Sequence, residues 1–532
     1  MVMRHCIMLK YRQSAVYPLM ANKNLYSLLR AGFPADLQRV AVETADGPEA
    51  GLRYTWLDLD RASAMLANLL ASLDLPPASR VAVQVDKSVE ALVLYLAVLR
   101  AGHVYLPLNS AYQAGEIEYF VGNAEPAVVV CAPRNFGWVS PIAFKAGTRH
   151  VFTLGDDRSG TLLERAAFQP DAHPPTLRRA DDLAAILYTS GTTGRSKGAM
   201  LTHGNLASNA LTLKSYWDWQ ADDVLIHALP IFHVHGLFVA SHCALLNGSK
   251  MLWFNRFDPR GVVGRLPEAT VFMGVPTLYV RLLGEPALST ETCAHMRVFI
   301  SGSAPLMVET FREWQHRTGH TILERYGMSE TGMLCSNPCR ASDGPRRGGT
   351  VGQALPGVQV RVVSEKGLPL HAGEIGQIEV KGPNVFKGYW RMPEKTADEF
   401  TNDLWFKTGD VGRLDADGYL SIVGRSKDLI ITGGYNVYPA EIEGVLNEID
   451  GIAESAVVGV PHPDFGEAVV AVVVPRDGAA PLPEALIGTL KKRIANFKVP
   501  KQLFVVQDLP RNAMGKVQKN LLREQHRALF TV

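Results

Sequence analysis

The sequence predicts an α/β fold: a large N-terminal layered assembly, a small β-rich subdomain, a hinge, and a small α+β unit at the C-terminus. Three observations predict it. Helical apolar periods alternate with short β-branched runs through residue 300, the signature of strands covered by helices. Beyond Gly357 the runs become short and alternating, with Gly, Pro and Asp between them, as in a small antiparallel sheet or barrel. After Gly424 a charged stretch without apolar period, Gly424-Arg-Ser-Lys-Asp428, precedes a last group of strands and a helix.

In order, Leu59, Ala62, Leu66, Leu69 and Leu73 recur at three or four, which predicts a one-faced helix over 56–73. Residues 80–85 read as a strand, 88–101 as a helix, 104–108 as a strand, and 127–131 as a buried parallel strand. Further strands are expected at 184–188, 224–228, 250–254, 271–273 and 297–300. The β-rich part supplies 358–363 and 376–380, and the last unit supplies strands at 454–460 and 468–474 with a helix over 484–496. No internal repeat interrupts this order.

Composition narrows the function. Lys and Arg total 54 against 52 Asp and Glu, a net charge of +2 with the signs interspersed, so no nucleic-acid-binding field exists and small molecules are the expected partners. The 6 cysteines are scattered, and Cys335 and Cys339 have no second ligand pair to complete a zinc site. The longest uncharged stretch, 224–249, contains Pro230 and four histidines, so no membrane insertion is expected. Residues 1–19 carry Arg4, Lys10 and Arg12 and no acid. They read as an extension or tail before a start at Met20, with organelle targeting as the alternative; a cytoplasmic protein is expected, a mitochondrial one being the minor reading.

The strongest chemical signal is Tyr188-Thr-Ser-Gly-Thr-Thr-Gly-Arg-Ser-Lys-Gly198, after a buried strand. Glycines let amides approach phosphate oxygens, hydroxyls donate, and Lys197 supplies a cation. It is not a Walker A loop, since no Gly-Lys-Ser/Thr follows at the required spacing. Downstream lie Glu324-Arg-Tyr-Gly-Met-Ser-Glu330, Lys407-Thr-Gly-Asp410, Gly424-Arg-Ser-Lys-Asp-Leu-Ile430 and Pro510-Arg-Asn-Ala-Met-Gly-Lys516.

These five ordered motifs resemble those of the adenylate-forming superfamily, which includes acyl-CoA synthetases, luciferases and peptide-synthetase adenylation domains. The resemblance covers the chain from Met20 onward. It implies an AMP-binding domain over 20–424, a hinge over 425–428 centred on Lys427, and a mobile C-terminal domain over 429–532. It also implies ATP, Mg²⁺ and coenzyme A. At the nucleotide it places Thr189, Ser190, Gly191, Thr192, Thr193, Gly194 and Lys197, with Ser303 and Ala304 from a later loop. Glu324, Arg325, Tyr326, Gly327, Met328 and Ser329 join them from the second motif, and Asp410 and Arg425 at the ribose. Glu330 is implied as the Mg²⁺ ligand, with Ser329 donating to phosphate. Lys516 is implied to stabilise the transferring phosphoryl group and then to leave as the C-terminal domain rotates. Gly433 and Gly434 fall at the pantetheine tunnel. The sequence departs from the usual pattern at Arg195-Ser196, where proline commonly precedes Lys-Gly, and at Ser329, where threonine is usual.

The acid is addressed by Met273-Gly-Val-Pro-Thr-Leu-Tyr-Val-Arg-Leu-Leu283, where Pro276 suits a helix start and Arg281 lies one turn beyond Thr277. A cation among apolar neighbours needs an anion, either a protein carboxylate or the second carboxylate of a short diacid. This segment, His227-Ala-Leu-Pro-Ile-Phe-His-Val-His-Gly236 and His295-Met-Arg-Val-Phe-Ile-Ser-Gly-Ser-Ala-Pro305 are similar to their counterparts in malonyl-CoA synthetases. The resemblance implies malonate as substrate, with Arg281, Ser303 and His235 at its free carboxylate and Arg297 in a structural role. His233 and His235 read as pocket-wall residues rather than metal ligands. Methylmalonate or another short acid is the alternative substrate, and a non-catalytic acyl-nucleotide sensor the alternative of another class. Lys516 is also a candidate for an acetyltransferase and deacetylase, since acetylation removes its charge.

Overall fold

The structure, a computed structural model, describes residues 22–47, 50–189, 196–433, 435–512 and 515–530. It is the predicted layered α/β fold, and among the described residues four sheets form. In the first, the strands Val40–Thr44, Lys250–Trp253, Val224–His227, Val271–Gly274, Val298–Ser301 and Ile322–Met328 run parallel. Antiparallel strands complete both edges. The second sheet runs parallel from His150–Thr153 through Val128–Cys131, Arg80–Gln84 and Val104–Pro107 to Leu183–Thr189, which then pairs antiparallel with Lys197–Thr202. The β-branched run expected to be buried is so: Val128–Cys131 is buried throughout.

Helix boundaries follow capping chemistry. Trp56–Ser72 begins at Thr55, whose hydroxyl and the Asp58 carboxylate satisfy each other's backbone N–H groups as a capping box. Val89–Arg100 begins after Ser88, whose hydroxyl accepts from Ala91 N. The last expected helix is Pro483–Arg493; it stops short of 496 because Ile494 turns to an extended conformation. Arg297 has the structural role expected of it, making hydrogen bonds of 3.1 and 2.6 Å to the two oxygens of buried Asp223. Truncating either partner strands a charge, at a cost of about 3–5 kcal/mol.

The third sheet is antiparallel: Gln359–Val363, Gly376–Lys381, Phe406–Leu414 and Leu420–Arg425. A single 3₁₀ turn, Ser426–Asp428, leads to the fourth, built on the long antiparallel pair Ile452–His462 and Gly466–Pro475. Its alternate side chains feed two cores. Val457, Val469 and Val473 pack with Ile442, Leu446, Leu486 and Leu490, while Val458, Val460, Val470 and Val472 pack with Leu509 and Leu522. The C-terminal helix Lys519–His526 is tied back by Arg523, which donates to Asp428 at 2.5 Å. Among the described residues no helix is long and apolar enough to cross a membrane.

Candidate active site

The second motif forms a strand and tight hairpin. Ile322–Met328 turns through Ser329 and Glu330 into Gly332–Ser336. Gly327 is required here, because a Cβ would lie 2.1 Å from the Gly332 carbonyl oxygen. The turn buries Glu330, whose Oε1 accepts from the Tyr389 hydroxyl at 3.1 Å and from Thr189 Oγ1 at 3.4 Å. Burial pushes its carboxyl above the usual range, opposed by Tyr389, Lys197 and Arg425. Ser329 and Met328 stand beside it, part-buried. Thr189 and Lys197 face each other at the ends of their paired strands. Lys197 Nζ is 3.3 Å from Glu399 Oε1 and lies over the Tyr389 ring. Ser190, Gly191, Thr192, Thr193 and Gly194, together with Gly434, lie outside the described residues.

Alternation along the strand separates its side chains. Tyr326 donates to Asp410 Oδ2 at 2.5 Å, and Arg425 Nε lies 3.1 Å from Asp410 Oδ1, placing these three together. Arg325 lies elsewhere. Its guanidinium sits under Gly302, where a Cβ would approach it to 2.7 Å, and its field reaches Tyr279, His233 and His235. It is 2% exposed, and Nε and Nη2 have no partner among the described residues. Burial lowers its pKa to about 9. Glu324 is buried too: Oε1 accepts from Leu306 N at 3.1 Å, Oε2 has no partner among the described residues, and burial raises its pKa to about 8. It fixes the loop that carries Ala304 and Ser303.

Ser303 adopts φ 73°, a left-handed backbone that favours glycine, and its hydroxyl lies 3.4 Å from His235 Nδ1. His235 opens a buried π-helical turn, His235–Ser241, in which Gly236 leaves no room for a side chain against the Pro230 carbonyl. Such turns widen a helix and re-aim its residues. His235 Nε2 has no partner among the described residues. Burial and the nearby Lys516 and Arg325 drop the His233 pKa to about 3, so both histidines are neutral near pH 7.

Lys516 reaches this group from the C-terminal unit. Gly515, at φ 74°, packs so tightly on Thr277 that a Cβ would lie 3.1 Å from its hydroxyl. Lys516 senses Arg425, Asp410, Arg325 and Glu330, and burial lowers its pKa to about 8. Lys427 is exposed in the Ser426–Asp428 turn, and Gly433 adopts φ 56°.

One expectation needs correction. Arg281 is not buried among apolar neighbours. The helix Pro276–Leu283 turns Tyr279, Leu282 and Leu283 inward and Val280 and Arg281 outward. Arg281 lies over the Phe257 ring and makes no ion pair among the described residues. With Thr277, Leu278, Phe232 and Gly515 it lines a cavity of about 540 Å³ between the two parts of the chain. The cation that is buried is Arg325, which sequence reasoning assigned to the nucleotide. The period of two from Tyr326 was the available signal.

Comparison with known proteins places this geometry. The model of the AMP-binding enzyme family matches residues 35–390, and that of the AMP-binding enzyme C-terminal domain matches 441–516. The chain belongs to the AMP-binding enzyme family. A family relative, a malonate–CoA ligase of Arabidopsis thaliana, is 35% identical over 84% of this chain and 78% of its own. A feruloyl-CoA synthase of Amycolatopsis is 34% identical over 93% and 98%. Among solved members, MatB from Rhodopseudomonas palustris is 54% identical over 96% of this chain and all of its own. Its ATP-bound structure superposes with a TM-score of 0.93 and its apo structure with 0.81, so the parts here are arranged as in the ATP-bound member.

Proposed function

We propose that the protein is an ATP-dependent malonate–CoA ligase that forms malonyl-CoA, AMP and pyrophosphate through malonyl-AMP. A carboxylate oxygen of malonate attacks the α-phosphorus and pyrophosphate leaves. The sulfur of CoA then attacks the activated acyl carbon, the thiol proton is lost, and AMP leaves.

Arg325 is the observation that carries the acid. A buried guanidinium with two nitrogens unpartnered among the described residues calls for an anion, and its neighbours His235 and Ser303 supply further polar atoms. A monocarboxylate spends its only carboxylate on phosphorus; a diacid retains one for this cation. Arg281, at the cavity mouth, attracts the same charge in a wetter setting. The malonate-ligase relative supports this choice, whereas the feruloyl-CoA relative at similar identity shows that overall likeness does not select the acid.

Asp410 and Arg425 bind the ribose, and the Thr189–Lys197 segment, including residues 190–195, binds the phosphates. Lys516 stabilises the transferring phosphoryl group, by placing a cation where negative charge spreads. Mg²⁺ fits at Glu330, a buried carboxylate whose donors among the described residues are the neutral hydroxyls of Tyr389 and Thr189, because this ion is commonly held by one or two carboxylates plus substrate phosphates. Bound there, it would neutralise phosphate charge. The 540 Å³ cavity exceeds what a three-carbon acid needs and suits the pantetheine arm of CoA, with Gly433 and Gly434 at its approach. Lys427 is the pivot on which the C-terminal part, residues 429–532, turns between the two half-reactions. Acetylation of Lys516 by a protein acetyltransferase silences adenylation by removing its charge, and full activity after stoichiometric acetylation overturns that point.

The test is CoA-dependent AMP formation with malonate, methylmalonate, succinate, acetate and octanoate. Malonate is expected to lead, with methylmalonate nearest because one methyl changes binding by only about 1–3 kcal/mol. Preference for acetate or octanoate overturns the reading.

A further inference from the structure

Tyr389 occupies a position that none of the motifs includes. The segment around it runs as an added strand beside Lys197–Thr202: Met200 N donates to Gly388 O at 2.9 Å, Trp390 N to Gly198 O at 2.7 Å, and Lys387 N to Met200 O at 2.9 Å. Tyr389 N donates to Thr396 Oγ1 at 2.9 Å, and the ring packs edge-on to Phe386. Backbone and packing therefore fix the ring, which is 3% exposed.

From that fixed position the ring touches two charged groups. Its face lies 4.2 Å from Lys197 Nζ, and its hydroxyl donates to Glu330 Oε1 at 3.1 Å. Glu399, itself 3.2 Å from Lys395, holds the Lys197 ammonium from the other side at 3.3 Å. A lysine on a flexible stem and a carboxylate in a hairpin turn, far apart in sequence, are thus set in one frame by a single side chain. We propose that Tyr389 is a positioning residue that registers the phosphate-binding lysine against the metal-binding carboxylate, so that MgATP meets both in one geometry. The inference rests on the reading of Glu330 as the Mg²⁺ ligand.

The hydroxyl and the ring face make separable contributions. Tyr389→Phe keeps the ring over Lys197 and loses the hydrogen bond to Glu330; Tyr389→Leu loses both. The measurement is ATP binding by calorimetry without metal and across a Mg²⁺ titration, with the malonate KM as a second readout and Glu330→Gln as reference. Tyr389→Phe is expected to raise the half-saturating Mg²⁺ concentration about tenfold while leaving metal-free ATP binding unchanged. Tyr389→Leu is expected also to weaken metal-free ATP binding about three- to fivefold. The malonate KM stays within about twofold of wild type in the Phe variant, because Tyr389 makes no contact with Arg325 or His235.

If Glu330→Gln shifts the Mg²⁺ dependence and Tyr389→Phe does not, the inference is overturned while the metal reading stands. If Glu330→Gln leaves the Mg²⁺ dependence unmoved, the metal reading fails, and with it the inference. Equal losses for ATP, Mg²⁺ and malonate in the Phe variant also overturn it, since that pattern marks a merely structural residue.

Discussion

Asp410 and Arg425 face each other directly across the antiparallel strands Phe406–Leu414 and Leu420–Arg425, with Arg425 Nε 3.1 Å from Asp410 Oδ1. The arginine is thus the last residue of a strand whose partner supplies its anion. Arg425→Ala is expected to raise the Kd for ATP about tenfold without changing the malonate KM, because a charge-assisted contact to the nucleotide is lost and the acid pocket is untouched. Equilibrium binding of ATP checks this, and a parallel rise in the malonate KM contradicts the separation of the two faces of the second motif.

The low pKa of Lys516, about 8, carries a direction. In the role proposed for Lys516 only the ammonium can stabilise the transferring phosphate, so adenylation is expected to fall as pH rises through the folded value. The descending limb is expected near pH 8 in kcat/KM for ATP, which reports the free enzyme, and higher in kcat, because bound phosphates favour the charged form. Lys516→Ala is expected to lose adenylation at every pH while converting supplied malonyl-AMP and CoA to thioester. Pyrophosphate release and thioester formation, assayed separately, decide it.

Arg281 and Arg325 are both proposed to meet the free carboxylate of the acid, but their surroundings separate their effects. Arg325→Met removes a buried charge that is unpaired among the described residues while roughly preserving volume, and is expected to stabilise the substrate-free protein by about 1–4 kcal/mol while abolishing malonate use. Arg281→Ala removes an exposed charge, so its stability effect stays within about 0.5 kcal/mol and the malonate KM rises. Thermal unfolding beside substrate kinetics tests both. A destabilised Arg325→Met would show that the guanidinium has an internal partner.

Ser303→Gly relieves a left-handed backbone and is expected to stabilise the loop by about 1 kcal/mol. It also removes a hydroxyl 3.4 Å from His235 Nδ1, so the malonate KM should rise. An unchanged KM means that the hydroxyl does not contact the acid.

The layered core was legible because strands buried on both faces spell apolar, β-branched runs, whether parallel, as in Val128–Cys131, or antiparallel, as in Ile452–His462. The ordering of strands into two separate parallel sheets was not, because adjacency depends on crossovers that local periodicity does not encode. At the site, the motifs pointed to Glu330, Asp410 and Lys516, whose placement depends on backbone turns rich in glycine and polar residues. Arg281 was misjudged because a helix of eight residues has both faces flanked by apolar letters in sequence. Tyr389 was invisible: Lys197 is brought to it by strand pairing and Glu330 by a hairpin turn, and no local sequence pattern encodes either approach.

The bond from Arg523 to Asp428 has a mechanical meaning. Asp428 lies one residue beyond Lys427, so a rotation about Lys427 carries Asp428, Arg523 and the terminal helix as a single block. The clamp travels with the moving part and leaves the stationary part untouched. With Lys427 as the pivot we propose, motion is concentrated into Ser426 and Lys427, much as a short pin confines a door to one axis, and the proposed swing of Lys516 needs few backbone torsions to change.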